Sequence, residues 1–202
     1  KFHPGVVGIM TSGLTETMGD DVQSAIVQFR QEHPEHDAIP VVWASTPDYC
    51  GSMQEGYAAT VKAIVATLPE GGRKLKKQVN ILPGCQLTPA EVEELKETCA
   101  AFGLDPIVIP DISCALDGHI DDTVSALSVG GIGVERIKSA GRSVATIYIG
   151  DSLADAAGLL AEKFAIPAYG FTNITGLAES DLLMETLASI SGEPVPQKFR
   201  RW

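Results

Sequence analysis

The side chains able to do chemistry are few and scattered along the chain. Cys50, Cys85, Cys99 and Cys114 stand 35, 14 and 15 residues apart, with no C-x-x-C pair and no cysteine–histidine spacing of a metal site. That set fits a reducing, cytoplasmic compartment without structural disulfides, and Cys99 falls in a helical pattern as a buried apolar residue. His119 lies beside Asp117, Asp121 and Asp122, either as an acid–base or metal pair or as part of a solvated acidic loop. No second histidine is near it in sequence. Asp151-Ser152 after an apolar run suggests a nucleophile elbow, but G-x-S-x-G is absent, and Ser152 with Asp155 reads more simply as a helix cap. Gly130-Gly131-Ile132-Gly133 could cradle an anion at a helix start or simply make a tight turn; it does not match G-x-G-x-x-G. These residues build no self-contained catalytic constellation, and no catalytic or metal-ligating residue is assigned from them.

The elements that position these groups alternate between strand and helix. Val6–Met10 is a short apolar run suited to a buried strand, Thr11-Ser12-Gly13 a small polar turn, and Leu14–Asp21 a helix start whose carboxylates suit the helix dipole. The helical pattern continues to Glu32 through Val22, Ala25, Ile26 and Phe29. Ile39–Ala44 is a second strand, Ser45–Ser52 a long turn, and Met53–Leu68 a helix with Tyr57, Val61, Ile64, Val65 and Leu68 on one side. Pro69–Lys77 reads as a surface linker. Val79–Leu82 is the next strand, followed by Thr88-Pro89-Ala90-Glu91, a capping box with proline at the first helical position. That helix ends at Gly103. Strands follow at Pro106–Ile109, Val144–Ile149 and Pro167–Phe171, with helices at Val134–Ser139, Leu153–Phe164 and from about Thr175 to Ile190. Such alternation implies right-handed βαβ units: an α/β fold with Rossmann-like parallel sheets flanked by helices.

The bulk numbers bound the function classes. The 202 residues are 45% hydrophobic and 20% charged, ordinary for a protein with a real core. The net charge of −11 argues against nucleic acid or an anionic membrane as partner. No apolar run reaches the roughly 18 residues of a membrane span, and Lys1-Phe2-His3-Pro4 lacks the apolar core of a signal peptide. Both ends read as cut, so a piece of a longer chain is expected.

Three segments resemble the nitrogenase component 1 β-subunit family. Thr11–Asp21 is similar to its strand-to-helix turn, Ser45–Ser52 to its second cluster-side loop, and Ile190-Ser191-Gly192-Glu193-Pro194-Val195-Pro196 to its Ser-Gly-x-Pro-x-Pro signature. Asn80–Gly84, Pro110–Ser113 and Leu116–His119 fit in order between them. The resemblance implies a nitrogenase component 1-like fold, with residues 1–72 the C-terminal part of a first α/β domain and 73–202 a second.

The resemblance also implies a departure. The catalytic β subunit carries a cysteine at the place of Gly13 that ligates an eight-iron cluster, and a serine near that cluster at the place of Asp48. Glycine offers iron no donor atom. The departure points to the cofactor-assembly branch of the family, a scaffold rather than a stand-alone enzyme. There an α2β2-like complex matures an iron–sulfur precursor into the iron–molybdenum cofactor. The implied partners are an E-type subunit, which holds most of the precursor, and the nitrogenase reductase, or iron protein. A simpler iron–sulfur cluster is expected at the subunit interface, with this branch's cysteine ligand upstream of Lys1 and no cluster bound by residues 1–202 alone. Ser12, Gly13, Glu16 and Asp48 are the expected cofactor-side residues. The alternative is a catalytic nitrogenase β-type or protochlorophyllide reductase-like subunit, in which Cys50 would substitute as a ligand; a generic ligand-binding α/β domain is the third reading.

Overall fold

In the computed structural model, residues 4–114 and 130–200 are described. Leu116–His119, Asp121 and Asp122 lie outside them, so the histidine–carboxylate group has no structural account.

The chain opens with β1 (Val7–Met10), which pairs in parallel with β2 (Val41–Ala44), Met10 lying opposite Ala44. Between them the expected single helix is two: α1 (Gly13–Met18) and α2 (Val22–Glu32). The break follows from Gly19, whose φ of 75° is left-handed, and from Asp21, whose carboxylate accepts from the Ser24 N–H and restarts the helix. α3 (Met53–Thr67) follows β2, capped by Ser52 and Glu55 as a reciprocal box.

The second sheet is entirely parallel, in the order β4 (Asp105–Val108), β3 (Gln78–Leu82), β5 (Ala145–Ile149), β6 (Ala168–Phe171). Helices cover both faces. On one side, α4 (Pro89–Ala101) and α7 (Leu177–Ser191) set Val92, Leu95, Cys99, Leu183 and Leu187 against Val79, Ile81, Ile147 and Ile149. On the other, α3 and α6 (Ala154–Phe164) set Val61, Val65, Ala157 and Leu160 against Leu82, Ile107 and Ile109. The short α5 (Val134–Lys138) joins this side through Ile137. β3 is buried at every position, the expected state of a central parallel strand.

Two polar residues of β3 face into the sheet's surroundings and are satisfied there. Asn80, fully buried, donates to the Ala140 carbonyl (3.1 Å) and the Thr146 hydroxyl (3.2 Å), and accepts from Ser143 (2.7 Å). Gln78 donates to the Ser139 carbonyl (2.8 Å) and Ser143 Oγ (2.9 Å). Buried amides left unpaired would cost several kcal/mol in total, roughly 1–3 each, so this ladder fixes the turn at 139–142 against the sheet. The Pro69–Lys77 stretch is held down on the same turn: the Glu70 N–H donates to the Lys138 carbonyl and the Leu75 N–H to the Arg142 carbonyl, each 2.8 Å.

Ser152 does not cap a helix. Asp151–Leu153 is instead a turn of 3₁₀ helix ahead of α6, whose start carries no side-chain cap bond. Gly130 and Gly131 have φ of 98° and 85°, and α5 after them is five residues long with no side-chain cap. The capping box of α4 and the glycine stop after it are as the sequence indicates. Among the described residues no helix is long and apolar enough to cross a membrane.

Candidate functional site

The carboxyl ends of β1 and β2 form one corner, and a carboxylate ties them together. Thr11, just past β1, is buried; its hydroxyl accepts from the Thr46 N–H (3.2 Å), and its carbonyl accepts from the Thr46 hydroxyl (2.9 Å). Glu16, one turn into α1, accepts from Thr11 Oγ1 and Ser45 Oγ, both at 2.5 Å. Those two hydroxyls, Ser45 first, hold the Glu16 carboxyl below its ordinary range. Ser12 caps α1: its hydroxyl accepts from the Thr15 N–H (3.5 Å), and the Ser12 N–H donates to Thr15 Oγ1 (3.0 Å). Thr17 closes the same turn by donating to the Gly13 carbonyl (2.7 Å).

Gly13 and Asp48 meet across this corner. Gly13 is buried at the first position of α1. A Cβ added there would overlap the Asp48 carboxylate oxygen, lie 3.2 Å from Asp48 Cγ and 2.9 Å from Tyr49 Cδ1. Position 13 therefore has no donor, and its side-chain space is already filled. Of the four residues expected from the sequence, Gly13 and Asp48 are in contact, Glu16 clasps the two loops, and Ser12 is occupied as a cap. Sequence reasoning singled out neither Thr11 nor Thr46, which form the clasp. Their signal was available: each is a small polar residue close behind a strand end, where parallel neighbours bring their turns together.

A cleft of about 890 Å³ opens beside the corner, with Met10, Ser45, Asp48, Cys50 and Met53 among its walls. Cys50 is exposed, and none of the four cysteines is in a disulfide. Tyr57, deeper in the cleft, donates to the Pro83 carbonyl (2.8 Å), and burial, with Cys85 nearby, pushes its phenol up to about 12. That bond links the corner to the carboxyl end of β3.

The rim of the corner is apolar and open. Met10 is 68% exposed, Leu14 70%, Met18 70%, Tyr49 66% and Met53 76%. Eight of the eleven exposed large hydrophobic residues among those described fall within residues 7–53. Single exposed apolar residues are ordinary; here they concentrate in the segment that carries the two turns.

The second sheet offers its own crevice where strand order reverses, between β3 and β5. There Gly84 abuts the Ile149 carbonyl, Gly150 has φ of 102°, and the Gln86 amide lies against both glycines. The Gln86 side chain thus occupies the space beside both glycines. Beyond β4, the Lys96 ammonium reaches Ser113 Oγ (2.8 Å) and Asp111 Oδ2 (3.3 Å). Burial pushes the Asp111 carboxyl up, but the Ser113 bonds and Lys96 outweigh it and hold it below the usual range.

The chemistry of the donor set bears on an iron–sulfur cluster at the corner. Among the described residues no group of three or more histidine, cysteine, aspartate or glutamate side chains is placed to hold a metal ion. Gly13 supplies no atom, and Asp48 occupies the approach. These residues do not fit a thiolate-held cluster built by this chain at that position.

The family model described as nitrogenase component 1 type oxidoreductase matches residues 1–202. The chain is 41% identical to a "Nitrogenase iron-molybdenum cofactor biosynthesis protein NifN" of Nostoc sp., over all of this chain and 45% of the relative. It is 39% identical to the protein of the same name from Bradyrhizobium diazoefficiens, over all of this chain and 44% of that one. It thus spans about half the length, or slightly less, of the curated relatives it matches. Among solved structures, "Nitrogenase Cp1 at pH 6.5" superposes with a TM-score of 0.88 at 29% identity, covering 96% of this chain and 43% of that one.

Proposed function

The chain belongs to the nitrogenase component 1 type oxidoreductase family, and from that premise we propose that it is part of the scaffold subunit on which the iron–molybdenum cofactor precursor is matured. The observation that carries this reading is Gly13. A position that in a catalytic β-type subunit must donate a thiolate has no donor here, and the Asp48 carboxylate stands in its space. The relatives named as cofactor biosynthesis proteins support the same reading. A catalytic β-type subunit, the alternative, is not favoured by this corner.

In this proposal the precursor is cargo, and the chain's task is to shape one side of the surface that receives it. Ser12, Gly13, Glu16 and Asp48 lie at the cofactor-facing corner. The exposed apolar rim of Met10, Leu14, Tyr49 and Met53 suits contact with an E-type (NifE-like) subunit in a nitrogenase-like heterotetramer. The interface iron–sulfur cluster belongs to the complex, its ligand from this subunit lying outside residues 1–202. The nitrogenase reductase docks on the assembled complex in the cytoplasm, as the resemblance implies. Residues 1–72 complete a first α/β domain and 73–202 form a second, with α3 packed across to α6.

The test is co-expression of the full-length chain with an E-type partner. Copurification of the two with bound iron is expected. A full-length chain that neither pairs nor carries iron in the pair overturns the proposal, as does an eight-iron cluster held at the Gly13 corner.

A further inference from the structure

We propose that Asp48 is the specificity-determining residue of the corner: its side chain fills the space of a residue-13 side chain and so bars a thiolate ligand there. The inference deepens the scaffold reading and rests on it for its biological meaning, while its physical content stands on the corner alone.

Two effects act together. The first is steric. A Cβ at position 13 would overlap Asp48 Oδ1 and lie 3.2 Å from Asp48 Cγ. Rotation about the outer torsion of exposed Asp48 moves the oxygen away but leaves Cγ at 3.2 Å, so the side chain must also give by a few tenths of an ångström. Tyr49 must also turn, since its Cδ1 is 2.9 Å from the same point. Gly13 is buried and sits at the start of α1 beside the Thr11–Thr46 clasp, so the backbone has little room to retreat. The second effect is electrostatic. A carboxylate in contact with a thiol disfavours its ionisation, and the thiolate is the form that binds metal. A cysteine at position 13 facing Asp48 would be crowded and held protonated. Loss of the ligand and gain of the carboxylate therefore act as one device, which reserves the corner for protein and cargo contact rather than for a resident cluster.

The experiment uses the full-length chain with Gly13→Cys, alone and combined with Asp48→Asn or Asp48→Ala. Asn keeps the bulk and removes the charge; Ala removes both. Gly13→Cys alone is expected to lower the thermal midpoint by roughly 2–10 °C, the range of an overpacked site. The loss should persist with Asp48→Asn and shrink with Asp48→Ala, the Tyr49 contact accounting for what remains. Alkylation of the introduced thiol should require a higher pH in the Asp48 background than in either substituted one. In the complex with the E-type partner, Gly13→Cys alone should add no iron. If the single variant does not fold, Gly13→Ala replaces it in the stability arm, because the clash begins at Cβ. An unchanged midpoint for Gly13→Cys or Gly13→Ala, a loss that Asp48→Ala does not relieve, alkylation indifferent to residue 48, or added iron with Asp48 in place would each overturn the inference. Failure of the chain to pair with an E-type subunit would instead sink the scaffold reading and leave the stability and alkylation results standing.

Discussion

Replacing Thr11 by valine removes one oxygen and almost nothing else, and that oxygen holds the corner together. Thr11 is 7% exposed, so the isosteric change leaves packing intact. Its hydroxyl accepts from the Thr46 N–H at 3.2 Å and donates to Glu16 at 2.5 Å. Stranding a partly buried N–H is worth about 1–2 kcal/mol. For 202 residues that is a fall of roughly 2–8 °C in the thermal midpoint, and a smaller fall in a longer chain. The Glu16 bond adds a part that pH can separate. Its carboxyl is held below the ordinary value of about 4.3 by Ser45 and Thr11. That contribution is fully present above the ordinary value and fades as pH falls through the lower folded value. The gap between unaltered and Thr11→Val chains should therefore be widest near neutrality and narrow below about pH 4. Thermal unfolding of the full-length chain across pH 3.5–7.5 reads both parts. A gap near zero at neutral pH would refute the clasp, and a gap that widens on acidification would refute the role given to Glu16.

Other positions give sharper or simpler readouts. Ser143→Ala leaves Asn80 Oδ1 without its donor in a fully buried ladder, and a loss of about 1–3 kcal/mol by denaturant unfolding is expected. Leu160→Ala opens a cavity between α6 and the sheet where the leucine is fully buried, with an expected loss of about 2–5 kcal/mol in the same assay. Burial pushes the Cys99 thiol up to about 12 at 1% exposure. Alkylation mapped by mass spectrometry at pH 8 should thus mark exposed Cys50 well before Cys99, and equal rates would contradict the α4 packing. Lys62→Ala removes an exposed tie from α3 to Asp155 and should scarcely move the midpoint, since such pairs are screened.

Local signals carried most of the element map because their causes are local. Thr88-Pro89-Ala90-Glu91 caps α4 by hydrogen bonds within four residues, and Gly103 and Gly192 stop helices through their own φ. The apolar side of α3 reaches the core as its periodicity indicates, through Val61, Val65 and Leu68. Where sequence reading ran two helices together, Gly19 and Asp21 looked permissible inside one helix, and only the combination of a left-handed glycine and a restarting cap divides it. Ser152 failed as a cap for a similar reason: the hydroxyl is suitable, but the 3₁₀ turn puts the helix start one residue beyond it.

The sequence by itself determined that β1 ends in a turn whose glycine has no atom to offer a metal, because side-chain identity needs no fold to be known. What fills the space left by that missing side chain was decided only by tertiary structure. Asp48 lies 35 residues away on another loop, and nothing in its neighbours' identities says that it faces Gly13. The parallel pairing of β1 with β2 brings the two turns to one edge, with Met10 opposite Ala44, and the Thr11–Thr46 bonds then fix how closely they approach. The chemical character of the corner is a contact property, and contacts between distant segments exist only once the strands have paired.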